Sequence, residues 1–185
     1  AMNGMTEKVK KMFDEQADIA DKLRTNVYVD SLTGLGNRRF LEGQVNAAME
    51  RKDRAVCGSF LLIEVQDLHQ QNLDKGYEYV DTLLQRVALC IKNATIPDGE
   101  AVNARLSGGA FSVFLPDVTE TDARRLTKKI AENMNQLSTT EVGMPENIGH
   151  IGAVSFDKPT PIGDLLSTAD QALRAAQSTG PNSWV

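Results

Sequence analysis

Residues 105–116, Arg-Leu-Ser-Gly-Gly-Ala-Phe-Ser-Val-Phe-Leu-Pro, set a glycine pair between two apolar runs. Glycine reaches positive φ without a Cβ clash, and short hairpin turns need that region. Gly108-Gly109 therefore predicts a tight turn joining strands over Ala101–Leu106 and Phe111–Leu115. A hairpin obliges the chain to build a sheet with antiparallel pairing, and the flanking sequence must supply the helices that cover it.

The flanks read accordingly. Asp30 to Arg39 contains Gly34, Gly36 and Asn37, a turn that delivers a helix beginning near Arg39, and Phe40, Leu41, Val45, Ala48 and Met49 keep helical spacing beyond it. Val56 to Val65 is nearly all apolar and reads as a buried strand. A helix is expected from about Glu78 to Asn93, with Val80, Leu83, Leu84, Val87, Ala88 and Ile91 on its apolar side. Helices near 120–136 and 163–178 flank a strand around Ile148–Ser155, and Pro145, Pro159 and Pro161 punctuate the loops there. The fold class is α+β, a central and mostly antiparallel sheet flanked by helices over residues 30–185.

Residues 1–29 form a separate helical unit. Met5, Val9, Met12, Ile19 and Leu23 alternate spacings of four and three, with Gln16 in the remaining position, a stripe of about three heptads. The stripe suits a homodimer through residues 5–27; an amphipathic helix packing on its own domain fits the same spacing. The opening Ala1-Met2-Asn3-Gly4 reads as a cloning remnant, and both ends are expected to continue into a longer protein.

A formal net charge of -5 and scattered basic residues argue against nucleic acid as a partner, since phosphate binding draws on clustered Lys and Arg. Two cysteines, Cys57 and Cys90, lie in apolar stretches and are expected to be buried free thiols in a reducing compartment, with no second Cys/His pair at metal-ligand spacing. No run of apolar residues is long enough to span a membrane.

Five landmarks then resemble the GGDEF domains, the family that condenses two GTP into cyclic di-GMP. Asp30-Ser31-Leu32-Thr33-Gly34-Leu35-Gly36-Asn37-Arg38-Arg39 is similar to the DxLTGLxNRR opening motif. Leu62 to Leu68 stands where the family has a strand ending in DxD and a following Phe, and Asn72, Gly76 and Asp81 match parts of NDxxGHxxGD. Ser107-Gly108-Gly109-Ala110-Phe111 occupies the signature loop. Ala169-Asp170-Gln171-Ala172-Leu173, ahead of Gly180 and Asn182, is close to ADxALYxAKxxGRN. The resemblance implies the palm-like nucleotidyl cyclase fold over residues 30–185, with residues 1–29 as a signalling helix.

Cyclisation requires divalent cations on the triphosphate, and so several converging carboxylates. Here Glu64 holds the strand position through one extra methylene, Gln66 is neutral, and Gly109 and Ala110 replace the acidic pair of the hairpin. The positions the family gives to phosphate-binding cations correspond to His69, Gln177 and Pro181, and the feedback motif RxxD corresponds to Asp98-Gly99-Glu100-Ala101. Ser107 replaces the first hairpin Gly, adding a Cβ where close backbone approach is needed. The catalytic loop is therefore expected to be inactive, and feedback binding by that route is not expected. Glu64 is left as either a metal ligand or an inert carboxylate facing solvent. Asn72 and Asp81 match the base-reading positions and could hydrogen-bond guanine, or could cap a turn and sit solvated on a helix. His69 and His150 are expected to be structural or exposed, since neither has a nucleophile partner in the sequence.

The resemblance thus implies a regulatory module coupling an N-terminal sensor to a downstream EAL domain of the same chain, as in the LapD-like group. That places it on the cytoplasmic side of the bacterial inner membrane within a membrane-anchored protein. No cofactor is expected, Mg entering only with residual GTP binding. An allosteric GTP sensor and a residual diguanylate cyclase are the alternatives.

Overall fold

The computed structural model describes residues 2–95 and 100–185. A long helix, α1 (Met2–Tyr28), leads into a short strand, β1 (Gly36–Asn37), and then α2 (Arg38–Met49), β2 (Gly58–Val65), α3 (Leu68–Lys75) and α4 (Tyr77–Thr95). The hairpin β3 (Val102–Ser107) and β4 (Ala110–Pro116), α5 (Glu120–Thr140), β5 (Gly149–Phe156) and α6 (Ile162–Gln177) complete the chain. The five strands lie in the order β1-β3-β4-β2-β5, parallel at β1-β3 and antiparallel elsewhere.

β2 lies inside the sheet between β4 and β5 and is apolar on both faces. Leu61, Ile63 and Val65 point into a core with α4 and α5, while Phe60 and Leu62 point into a second core with Leu41 and Val45 of α2 and Leu165, Ala169 and Leu173 of α6. The result is a helix–sheet–helix sandwich, the expected α+β architecture. Asn37 starts α2, its side-chain oxygen accepting from Phe40 N at 3.0 Å and its amide donating to the Val27 carbonyl at 2.8 Å. After α6 the chain turns at Asn182, 2% exposed, whose side chain accepts from Ile148 N and Gly149 N and donates to Asn135 and Glu146. Residues 183–185 then run parallel along β5.

Two expectations need correction, and one of the two readings of α1 drops out. Cys57 is exposed, because β2 begins only at Gly58 and the thiol belongs to the preceding loop. Cys90 is half-buried; burial, and the Glu141 carboxylate after it, push its thiol up to about 11, so it stays protonated at neutral pH. The stripe of α1 does not pack on its own domain: Met5, Val9, Met12, Ile19 and Leu23 are all exposed, and α1 meets the domain near its end, where Tyr28 contacts Phe40 and the Arg39 guanidinium. No helix among the described residues is long and apolar enough to cross a membrane.

Candidate functional site

The end of β2 and the starts of β4 and β5 meet at one end of the sheet. Glu64 is in register with Ala110 on one side and His150 on the other, and directly opposed residues of antiparallel strands share a face. The carboxylate of Glu64 is solvent-exposed, and Gln177 at the end of α6 reaches it with its amide nitrogen at 3.5 Å. His150 is 3% exposed; its Nε2 donates to the Gly180 carbonyl at 3.0 Å, and Nδ1 is buried without a partner. Glu64 thus has a methyl, an imidazole and an amide as neighbours.

The hairpin turn closes tightly over this end. Gly108 takes φ +48, the left-handed region that favours glycine, and the Gly109 carbonyl accepts from Val65 N at 2.9 Å. A Cβ on Gly109 would lie 2.6 Å from Leu68 Cδ1 and 3.2 Å from Val65 Cβ. Leu68 therefore fills the space in which an acidic side chain at this position would start.

Arg105 ties the turn to the domain's beginning. Its Nε and Nη2 donate to the Gly108 carbonyl at 3.0 and 2.8 Å, and Nη1 lies 3.2 Å from Asp30 Oδ1. Asp30 Oδ2 accepts in turn from Thr33 N at 2.9 Å and Thr33 Oγ1 at 2.6 Å. Burial pushes the Asp30 carboxyl up, but the two Thr33 hydrogen bonds and the Arg105 charge outweigh it, leaving the group below its ordinary 3.8.

The remaining expected residues are not gathered there. Asn72 lies within α3; its backbone carbonyl accepts from Gly76 N at 3.0 Å, but its side-chain oxygen is buried and accepts nothing, so it caps no turn. Asp81 is exposed on α4 and makes no hydrogen bond or ion pair among the described residues. His69 is exposed on α3. Pro181 lies beyond α6, next to Gly180. In the stretch Asp98-Gly99-Glu100-Ala101, the first two residues lie outside the described ones.

This end of the sheet offers a divalent cation one side-chain carboxylate, Glu64. Hard cations want several oxygen donors, and no group of three or more His, Cys, Asp or Glu side chains is placed to hold a metal among the described residues. Sequence reasoning missed Leu68 as the side chain over Gly109 and the pairing of Asp30 with Arg105. Asp30 opens a motif and Arg105 lies three residues before Gly108 of the hairpin turn, the one signal that could have joined them.

Residues 27–183 match the family model described as diguanylate cyclase, GGDEF domain. The response regulator PleD of Caulobacter vibrioides is 28% identical over 189 residues, which covers 89% of this chain and 38% of PleD. The Vibrio cholerae LapD S helix-GGDEF-EAL structure bound to c-di-GMP superposes with a TM-score of 0.77 at 25% identity, covering 90% of this chain and 38% of that one. The coiled coil and GGDEF domain of DgcB from Caulobacter crescentus, in complex with c-di-GMP, gives 0.78 at 18% identity over 98% of this chain and 97% of that one, a likeness of fold alone. The chain spans about two-fifths of the length of PleD and of the LapD S helix-GGDEF-EAL chain.

Proposed function

This chain belongs to the GGDEF, diguanylate cyclase family, and we propose that it is a catalytically silent member that relays conformational or oligomeric signals between an N-terminal sensor and a downstream EAL domain. The donor set at the strand ends carries the silent reading. Glu64 stands there beside Ala110 and His150, with Gly109 closed over by Leu68. Two-metal phosphoryl chemistry needs carboxylates from more than one strand, and it needs cations on the phosphates, where this chain has His69, Gln177 and Pro181. Purified protein given GTP with Mg or Mn is expected to yield no cyclic di-GMP by chromatography. Robust turnover that disappears in Glu64→Gln would sink the proposal.

The EAL partner is supported by likeness to the LapD S helix-GGDEF-EAL structure. The larger protein sits, on this reading, on the cytoplasmic side of the bacterial inner membrane. Signals arrive through α1, whose exposed stripe pairs two copies as a coiled coil. Leu23, 61% exposed, takes an a position of that seam with Gln16 one heptad earlier. Placing a charge there forces it into an apolar interface, so Leu23→Glu should weaken dimerisation by on the order of tenfold to a hundredfold. Sedimentation velocity over a concentration series checks it; an unchanged dimer would remove the coiled coil.

A second reading, an allosteric GTP sensor, is favoured by one observation. The side-chain oxygen of Asn72 is a buried acceptor without a donor, and the N1 and N2 hydrogens of guanine are donors of the kind it lacks. Calorimetric titration separates the readings: heat of binding lost in Asn72→Ala supports the sensor, and no binding at millimolar GTP eliminates it.

A further inference from the structure

The elbow between α3 and α4 carries three of the five large apolar side chains exposed outside α1 among the described residues: Leu73 at 69%, Tyr77 at 79% and the fully exposed Val142. Val142 belongs to the loop after α5, and Gly143 pins that loop to the elbow. Its carbonyl accepts from Lys75 Nζ at 3.1 Å and from Tyr79 Oη at 2.7 Å. The same contact folds the Lys75 ammonium over the Tyr79 ring, 4.4 Å from its centroid, and holds it back from the neighbouring side chains of α3. Asp74 and Glu78 directly follow Leu73 and Tyr77 in the chain; both are exposed, and neither is in an ion pair among the described residues.

Single exposed hydrophobic residues are ordinary; a cluster with carboxylates beside it is not. Leu73 and Tyr77 stand where the NDxxGHxxGD motif has Asp and His, so the apolar character belongs to this chain, at positions the motif makes polar. A second copy docking through the same surface would bring carboxylates against carboxylates, which disfavours self-pairing and favours a cationic partner.

We propose that the α3–α4 elbow is a docking surface for a protein helix with an apolar stripe flanked by lysine and arginine. Apolar anchors of such a helix, three or four residues apart, pack on Leu73, Tyr77 and Val142, while its flanking cations meet Asp74 and Glu78. The surface is separate from the hairpin end of the sheet, and the proposal stands whether or not the domain turns over GTP.

The test uses the full chain and a fluorescein-labelled amphipathic peptide of leucine and lysine, with a control in which every lysine is glutamate. Fluorescence anisotropy should show binding of the lysine peptide and none of the control. Leu73→Asp, Tyr77→Ser and Glu78→Lys should each weaken binding at least about tenfold, and added salt should weaken it further. Val142→Asp, in a loop outside any helix, serves as the independent variant if Leu73→Asp lowers the melting temperature. Equal affinity in all variants, or comparable binding of the glutamate peptide, overturns the proposal. So does a Leu73→Asp change that alters self-association and leaves peptide binding intact, since the elbow then joins two copies.

Discussion

Restoring the acidic pair at the hairpin, Gly109→Glu together with Ala110→Glu, is expected to yield a protein that still makes no cyclic di-GMP and is less stable than the parent by about 1–3 kcal/mol. The stability loss arises mainly at position 109, where a Cβ meets Leu68 Cδ1 at 2.6 Å and Val65 Cβ at 3.2 Å. The Leu68 methyl can swing aside at the cost of its packing. Val65 cannot, because its Cβ is fixed to β2 by the ladder and its N–H is bonded to the Gly109 carbonyl. At position 110 the new carboxylate stands in register with Glu64, so it adds like-charge repulsion. Turnover stays absent for a different reason. Carboxylates alone gather cations, but the triphosphate still finds Gln177, Pro181 and His69 where charge must be neutralised. Adding Leu68→Ala should relieve the crowding at position 109 without producing product. Thermal melts and nucleotide chromatography on the three proteins check both halves, and robust cyclic di-GMP from the double variant would show that the phosphate side needs no cation.

The contrast between Gly109 and its neighbours shows how far residue pattern reaches. The Gly pair between apolar runs yields the hairpin almost to the residue, and the amphipathic stretches yield α4, α5 and α6, because a buried helical face imprints its period on the sequence. α3 is invisible by the same logic: it has no fully buried side chain, so selection for packing left no period to read. β1 is two residues long and pairs in parallel, too short for any alternation. The site divides in the same way. Loss of the acidic pair is written in single letters at Gly109 and Ala110. The closure of Leu68 over Gly109 is a contact between distant segments, as is the pairing of Asp30 with Arg105 across 75 residues, and no local rule encodes either.

Asp30 carries the second large effect. Asp30→Ala removes the acceptors of Thr33 N, Thr33 Oγ1 and Arg105 Nη1 at once, leaving an arginine whose side chain is 16% exposed without its carboxylate. The cost should be about 3 kcal/mol, while Asp30→Asn, which keeps an oxygen for Thr33, should cost about 1–2 kcal/mol. The sign of the pH dependence follows from the depressed carboxyl. Its contribution is complete above the unfolded value and is lost as pH falls through the folded one, so the window lies below about pH 4. The asparagine variant has nothing to titrate at this position, and the gap between its urea midpoint and the parent's should narrow from about pH 5 to about pH 3. A constant gap would mean that the charge contributes nothing. Arg105 grips the Gly108 carbonyl as well as Asp30, two residues past the end of α1. Loosening Asp30 should therefore speed amide exchange in the hairpin turn while α6, packed on the opposite end of the strand order, keeps its protection. Unchanged exchange at the turn would reduce the pair to a local staple, with no coupling between the residues after α1 and the hairpin.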